Sequence, residues 1–155
     1  MRLSTRVRYG IRMLVDVAAH QGEAAVVLKD VSRRQQVSLN YLRQVMAPLV
    51  AAGIMRTERG SLGGVRLARQ PGDIKLSLVV RILDGSTAPV ECVDAPALCA
   101  RNTECVTRGV WCRIKTAIDE VLESVTIQDL ADQQKLAGQS DAVGACMTPE
   151  QAFGI

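Results

Sequence analysis

The fold is most restricted by one stretch of sequence, residues 38–53, which reads SLNYLRQVMAPLVAAG. Ser38 can cap a helix, because its hydroxyl accepts a hydrogen bond from an exposed amide of the next turn. Apolar residues follow at helical spacing, and Gly53 stands where the left-handed residue after a helix belongs. Pro48 removes one backbone hydrogen bond inside this segment, so we expect a bend there rather than an end. The stretch therefore predicts a capped amphipathic helix.

Two further helices are predicted before this segment. Residues 3–20 carry one apolar stripe at spacings of three and four, formed by Leu3, Val7, Ile11, Leu14 and Ala18. Residues 23–27 are predicted to form a short extended stretch. Residues 28–36 follow as a second helix with Leu28 and Val31 facing inward, and Val37-Ser38 interrupts the pattern.

A β-hairpin is predicted after the capped helix. Residues 54–57 and 65–68 alternate in polarity around the glycine-rich tip ERGSLGG at 58–64. Helix, turn, capped helix and hairpin, in that order, are typical of a winged helix-turn-helix. We therefore expect a mainly α fold with a small β-hairpin wing, in which residues 1–75 form the winged domain.

The second half of the chain predicts a connecting helix, a loop and a long helix. Residues 76–83 are helical up to Gly85, whereas residues 86–106 hold two prolines and three cysteines without a clear period. From residue 107 an apolar seam suits a dimerisation helix that pairs with its twin, although packing on its own domain is the alternative. We expect a connecting helix and cysteine loop at 76–106, the dimerisation helix and a short following helix at 107–136, and a mobile tail at 137–155. The seam consists of Trp111, Ile114, Ile118, Val121 and Val125.

Charge divides the chain in two. Residues 1–75 carry 13 Lys and Arg against 5 Asp and Glu, whereas residues 76–155 carry 6 against 11. A basic half suggests a polyanionic partner, although an ordinary solvated surface is the alternative. No run of 18 apolar residues or signal peptide is evident, so we expect a cytoplasmic protein with no membrane partner.

Double-stranded DNA is the polyanion that the predicted elements fit. A helix enters the major groove, where residues near its N-terminus reach base edges and cations hold phosphates. The candidates on the capped helix are Ser38, Asn40, Tyr41 and Arg43. Asn40 can pair with adenine, and Arg43 with guanine or phosphate. Arg33 and Arg34, at the end of the preceding helix, are expected on the DNA backbone.

The hairpin adds candidates for a second groove. Arg59 and Gly60 lie on a slim tip, and a guanidinium there suits the negative potential of a narrow minor groove. Arg56 and Arg66 could flank it on the phosphates. A solvated charge is the alternative for each arginine alone. No phosphate loop or nucleophile motif appears, and His20 is the only histidine, so we expect no enzyme.

Five cysteines lie in the acidic half. Cys92, Cys99 and Cys105 follow the spacing C-x6-C-x5-C, with Cys112 and Cys146 further on. In a reducing compartment such a cluster is typical of a metal site or a redox sensor rather than a disulfide framework. Soft sulfur ligands on a loop suit an iron–sulfur cluster, and a zinc site or a thiol–disulfide switch is the alternative.

Several motifs resemble the iron–sulfur cluster regulator (IscR) family, which includes the nitric-oxide-sensing repressor and the rhizobial iron regulator. The likeness runs from residue 1 to about residue 130, and it is carried by residues 1–4 (MRLS), 8–9 (RY), 38–42 (SLNYL), 59–60 (RG) and 63–64 (GG). It implies a homodimeric winged-helix repressor or activator on a palindromic operator. The family member from which the name derives has an acidic residue on this helix where the chain has Arg43, so its operator is expected to differ.

The resemblance also implies that Cys92, Cys99 and Cys105 hold an iron–sulfur cluster, so that redox state, iron or nitric oxide controls operator binding. Relatives complete the site with a histidine or a partner carboxylate, but the matching residues here are Arg108 and Arg8, which cannot ligate iron. A [4Fe–4S] cluster on three cysteines is favoured over [2Fe–2S]. The other candidates for a fourth ligand are Cys112, Cys146, Asp94 and Glu104. Thiol oxidation, zinc or a partner protein could control the same regulator without a cluster.

Overall fold

The computed structural model describes residues 3–22, 24–58 and 64–137. These residues form seven α-helices and one two-stranded antiparallel sheet, which confirms the predicted fold class. The elements are α1 (Thr5–His20), α2 (Leu28–Gln35), α3 (Leu39–Ala51), β1 (Met55–Glu58), β2 (Gly64–Leu67), α4 (Leu76–Asp84), α5 (Glu91–Asp94), α6 (Val106–Ser124) and α7 (Ile127–Ala137). No helix in this part of the chain is long and apolar enough to cross a membrane.

Helix α1 is the centre of the core. It begins at a cap, where the Ser4 hydroxyl accepts a hydrogen bond from the Val7 amide at 3.1 Å. Ser4 also donates its amide proton to Asp84 at the end of α4, at 3.2 Å. Because the cap residue itself is not helical, the helix begins two residues later than the predicted residue 3. Its apolar face, with Val7 and Leu14 fully buried, packs against α3, α4 and α7.

Helices α2 and α3 form the predicted helix-turn-helix. Gln36 ends α2 in the left-handed conformation, with φ of 53°. Ser38 then caps α3 by accepting a hydrogen bond from the Tyr41 amide at 3.2 Å, as predicted. The helix continues through Pro48 to Ala51, and Gly53 follows at φ of 66°. The left-handed residue at 53 is therefore confirmed.

The hairpin is confirmed with strands one residue from their predicted bounds. Met55 pairs with Leu67 and Glu58 pairs with Gly64. The extended stretch before α2 adds an antiparallel bridge from Val26 to Val65, with backbone bonds of 3.0 and 2.8 Å. The tip at 59–63 lies outside the described residues.

Helix α7 returns to the first half of the chain. The segment before it forms an antiparallel bridge between Lys75 and Thr126, and Ile127 donates its amide proton to the Ile74 carbonyl at 2.9 Å. Ile74 and Ile127 are fully buried, and α7 packs along α1. The winged domain therefore shares its core with α7, across the boundary predicted at residue 75. The division into 1–75, 76–106, 107–136 and 137–155 stays a prediction.

The segment 86–106 is not the plain loop that the sequence predicts. It contains the one-turn helix α5, from Glu91 to Asp94, and a 3₁₀ turn from Pro96 to Leu98. Single turns of this kind escape a search for periodicity, because four residues are too few to repeat a helical pattern.

The apolar seam of α6 divides between two environments. Ile118 packs on the core and Leu122 is buried in it, whereas Ile114 and Val121 are exposed by 37% and 53%. Val125 lies just past the end of the helix. Helix α6 is thus anchored to its own domain along one edge and leaves an apolar edge uncovered in the single chain.

Candidate nucleic-acid interface and cysteine loop

The start of α3 presents polar side chains to solvent. Ser38, Asn40 and Arg43 are exposed, whereas Leu42 and Val45 point into the core. Asn40 and Arg43 lie one turn apart, and the Arg43 guanidinium is 3.5 Å from the Asn40 side-chain oxygen. The helical period explains this division, since residues three apart share a face. An amide and a guanidinium on one exposed face are the groups that read adenine and guanine edges.

Tyr41 connects α3 to α1. Its ring meets the Tyr9 ring edge-on, with centroids 5.8 Å apart and planes at 84°. The guanidinium carbons of Arg8 and Arg12 lie 5.1 and 5.3 Å from the Tyr9 ring centroid. Cations beside an aromatic ring are attracted by its negative face. The sequence analysis did not predict that Tyr9 and Arg12 lie beside Tyr41, because a contact between two helices leaves no signal in the local sequence pattern.

The two arginines at the end of α2 have different partners. Arg33 is 79% exposed and forms an ion pair with Asp30 at 2.9 Å. Arg34 donates to the buried carboxylate of Asp16, with its Nη2 at 2.5 Å and its Nε at 3.0 Å. The hydrogen bond to Asp16 raises the pKa of the Arg34 guanidinium. Arg34 therefore reaches a partner inside the fold while its own side chain is 32% exposed, whereas Arg33 pairs at the surface.

On the hairpin, Arg66 is largely buried. Its Nη1 donates to the Gly22 carbonyl at 2.6 Å, its Nε lies 2.9 Å from Glu58, and the side chain is 17% exposed. Arg56 is 60% exposed and is 3.4 Å from the same carboxylate. The predicted contacts of Arg59 and Gly60 lie outside the described residues.

The four described cysteines are spread from α5 to the first half of α6. Cys92 lies in α5, Cys99 follows the 3₁₀ turn, Cys105 is the residue before α6, and Cys112 lies inside α6. All four are free thiols. Across residues 3–22, 24–58 and 64–137, no three His, Cys, Asp or Glu side chains come together in a way that could hold a metal ion. The described conformation is thus not a preformed cluster site, and Cys146 lies beyond it.

Cys105 is the thiol with the clearest chemical environment. Its sulfur is 3.2 Å from the Thr107 hydroxyl. This hydrogen bond, helped by the Arg108 amide, holds the pKa of Cys105 below its ordinary value. A lowered pKa increases the thiolate fraction, and the thiolate is the form that reacts or binds metal.

Arg108 and Asp94 tie the cysteine loop to its neighbours. Arg108 donates from Nε to the Cys92 carbonyl at 3.2 Å, which links α6 to α5. The Asp94 carboxylate accepts a hydrogen bond from the Ser86 hydroxyl. Arg108 therefore makes a structural contact between α6 and the cysteine loop.

Comparison with known proteins places these features in one family. Residues 3–133 match the Rrf2 family, described as iron-dependent transcriptional regulators. Protein rrf2 of Nitratidesulfovibrio vulgaris is 39% identical over 130 residues, covering 84% of this chain and 87% of that protein. The regulator CymR of Bacillus subtilis is 35% identical over 131 residues, covering 84% of this chain and 90% of CymR.

Solved structures of transcription regulators are also similar to this chain. The structure of CymR, the global cysteine regulator of B. subtilis, has a TM-score of 0.74 at 34% identity, covering 86% of this chain and 98% of that one. The structure of T. potens IscR has a TM-score of 0.71 at 35% identity, covering 95% and 94%.

A capped helix with an exposed polar start, followed by a β-hairpin wing, defines the class of winged-helix DNA-binding proteins. Within that class, the chain belongs to the Rrf2 family of transcription regulators. It is similar to IscR, as its motifs predict. Since its relatives are named as transcription regulators, the chain is a regulator rather than an enzyme.

Proposed function

We propose that the chain is a cytoplasmic, homodimeric transcription regulator that binds a palindromic operator through α3 and the hairpin. The observation that carries this proposal is the exposed face at the start of α3, where Asn40 and Arg43 stand side by side in the basic half of the chain. Asn40 would pair with adenine, and Arg43 with guanine or a phosphate. Ser38 and Tyr41 would contact the backbone beside them.

Cations around α3 would hold the phosphates. Arg33, exposed at the end of α2, and Arg56 on β1 are the described candidates with free reach to solvent. Arg59 and Gly60 would enter the minor groove. Arg66 would act beside them mainly by fixing the hairpin, because its guanidinium is held by Gly22 and Glu58.

Two copies would pair through the uncovered edge of α6. Val110, Ile114 and Val121 are large apolar residues exposed on this helix. An apolar stripe of this kind on a single chain is typical of a partner surface. A twofold dimer would present two copies of α3 to two half-sites of a palindrome.

We further propose that the cysteine loop controls DNA binding by holding an iron–sulfur cluster, [4Fe–4S] in preference to [2Fe–2S], on Cys92, Cys99 and Cys105. The three-cysteine spacing and the similarity to IscR support this proposal. The described conformation does not bring these side chains together, so cluster binding would require the loop to close around the metal. Cys112 remains a candidate fourth ligand.

A cluster-free regulator is the second candidate, controlled by thiol oxidation, zinc or a partner protein. The lowered pKa of Cys105 and the likeness to CymR favour it. A thiolate on a segment that joins α4 to α6 could change the position of α6 when it is oxidised.

Anaerobic purification distinguishes these candidates. We expect a brown protein whose iron and sulfide rise together, and which loses both in the Cys99→Ala variant. The Cys112→Ala variant tests the fourth ligand, because a cluster retained there would exclude Cys112 from that role. Affinity for a duplex selected from a randomised library is then measured for the loaded and the cluster-free protein over a range of salt. A colourless, iron-free protein after reconstitution would support the cluster-free regulator that is controlled by thiol oxidation, zinc or a partner protein. Failure to select any duplex would contradict DNA binding itself.

A further inference from the structure

A single buried carboxylate lies behind the helix-turn-helix. Asp16, in the middle of α1, is fully buried and is the one buried polar or charged residue of the described chain. It accepts hydrogen bonds from Arg34 Nη2 at 2.5 Å, Arg34 Nε at 3.0 Å and Gln35 Nε2 at 2.8 Å. A charge taken out of water costs several kcal/mol unless it is paired and hydrogen-bonded. The three donors from Arg34 and Gln35 therefore have to stay in place as long as Asp16 is buried.

These donors are the last residues of α2. The next residue, Gln36, adopts the left-handed conformation that begins the turn into α3. Ser32 adds a bond across the same turn, because its hydroxyl donates to the Val37 carbonyl at 2.6 Å. Asp16 thus fixes the point at which the chain leaves α2 for the DNA-reading helix.

The same network reaches the exposed end of α3. Arg12 donates from Nε to the Gln35 side-chain oxygen and from Nη2 to the Gln35 carbonyl, both at 2.9 Å. Its guanidinium lies over the Tyr9 ring, and Tyr9 meets Tyr41 edge-on. One path of contacts therefore joins the buried carboxylate to Tyr41, next to Asn40.

We infer that Asp16 is a positioning residue for DNA reading, which sets the angle of α3 through Arg34, Gln35 and the turn at Gln36. This inference rests on the proposed function, because it concerns how α3 is presented to base edges. In this proposal Arg34, which is hydrogen-bonded to Asp16, positions the turn instead of holding a phosphate. Base contacts depend on the angle of α3, whereas contacts to phosphates alone tolerate small shifts. Asp16 should thus affect specific binding far more than non-specific binding.

The test compares Asp16→Asn with Asp30→Asn. Both variants remove one negative charge from the same region, but the Asp30 side chain is 41% exposed and forms its ion pair with Arg33. Each is measured on the palindromic duplex that the wild-type chain selects from a randomised library, and on a mixed-sequence duplex of equal length. Temperature is chosen from melting curves so that both variants are folded.

We expect Asp16→Asn to weaken binding to the selected duplex by about tenfold or more relative to Asp30→Asn, with equal affinity of the two variants for the mixed duplex. A folded Asp16→Asn variant that loses both affinities in the same proportion would overturn the inference. Equal binding of the two variants to the selected duplex would overturn it as well. If wild type selects no duplex, the proposed function fails and the inference with it.

Gln35→Ala provides a second variant should Asp16→Asn not fold. It leaves the ion pair between Asp16 and Arg34 intact, and it removes two side-chain hydrogen bonds of Gln35, the one to Asp16 and the one from Arg12 Nε. The hydrogen bond from Arg12 Nη2 to the backbone carbonyl of residue 35 is kept. We expect a fall of about fivefold in the ratio of specific to non-specific affinity, the size of two lost hydrogen bonds. An unchanged ratio would overturn the inference.

Discussion

At the scale of single residues, the sequence predicted the exposed polar face at the start of α3 and missed the buried charge behind it. Asn40 and Arg43 are three apart on a helix whose apolar positions are plain, so their exposure follows from the period. Asp16 lies between Val15 and Val17 on α1, and nothing in the local pattern says that it is buried. Its partners come from residues 34 and 35, and only the packing of α1 on α2 brings them within reach.

Arg43 gives a prediction at this scale. We expect Arg43→Ala to weaken binding to the selected duplex by about 1–3 kcal/mol and to relax the base preference at one position in each half-site, since a guanidinium on a base edge contributes that much. Arg81→Ala removes the same charge from the exposed side of α4 and should leave affinity nearly unchanged. Equal losses in the two variants, measured by titration at fixed salt, would mean that Arg43 acts only through net charge.

At the scale of secondary structure, caps account for several helix bounds. Ser4 begins α1 and Ser38 begins α3, each through an amide of the first turn. Before α7, Asp129 accepts hydrogen bonds from both the amide and the hydroxyl of Thr126, at 2.8 and 2.6 Å. The Ser38 cap was predicted because its hydroxyl precedes a clear apolar pattern, whereas Ser4 was placed inside the predicted first helix and α7 was expected only as a short following helix.

The Thr126 cap predicts a pH dependence of stability. Hydrogen bonds from the Thr126 hydroxyl and amide hold the pKa of Asp129 below its ordinary value. A lowered pKa in the folded state means that the carboxylate stabilises the fold above its unfolded pKa, about 3.9, and that this is lost as pH falls through the folded pKa. Asp129→Asn should therefore lower Tm most near neutral pH, with the difference from wild type shrinking below about pH 4.

Thermal melts across pH would check this dependence. Asp73→Asn is the matched control, because the Asp73 side chain is exposed and makes no hydrogen bond or ion pair with the described residues. A difference in Tm between wild type and Asp129→Asn that stays constant down to low pH would contradict a contribution of the ionised Asp129 carboxylate to stability.

At the scale of the whole molecule, helix α6 contacts the core, the cysteine loop and solvent. It packs on α4 through its inner edge, follows the cysteine loop directly, and leaves an apolar edge uncovered. The cysteines themselves were predicted as a group from their spacing, but the described conformation keeps them apart. Spacing along a chain limits which residues can meet, and the path of α5 and the 3₁₀ turn between them decides whether they do.

The uncovered edge gives a prediction at this scale. We expect Ile114→Glu to shift the protein from dimer to monomer, because a charge on each copy would be buried against the other. Light scattering after gel filtration measures the mass, and affinity for the palindromic duplex should fall with it. Gln133→Glu, an exposed position on α7, adds the same charge as a control. A dimer that survives Ile114→Glu would place the interface elsewhere.

The sequence by itself determined the order of elements, the cap at Ser38, the exposed polar face at the start of α3 and the basic half, since each of these depends on residues close together along the chain. Only the tertiary structure decided that Arg34 binds Asp16 while Arg33 stays in solvent, and that α7 shares a core with α1. It also decided which edge of α6 is buried. These outcomes depend on which surfaces pack together. A buried carboxylate such as Asp16 is strongly destabilising unless it is paired, whereas an exposed ion pair such as that of Arg33 contributes little to stability.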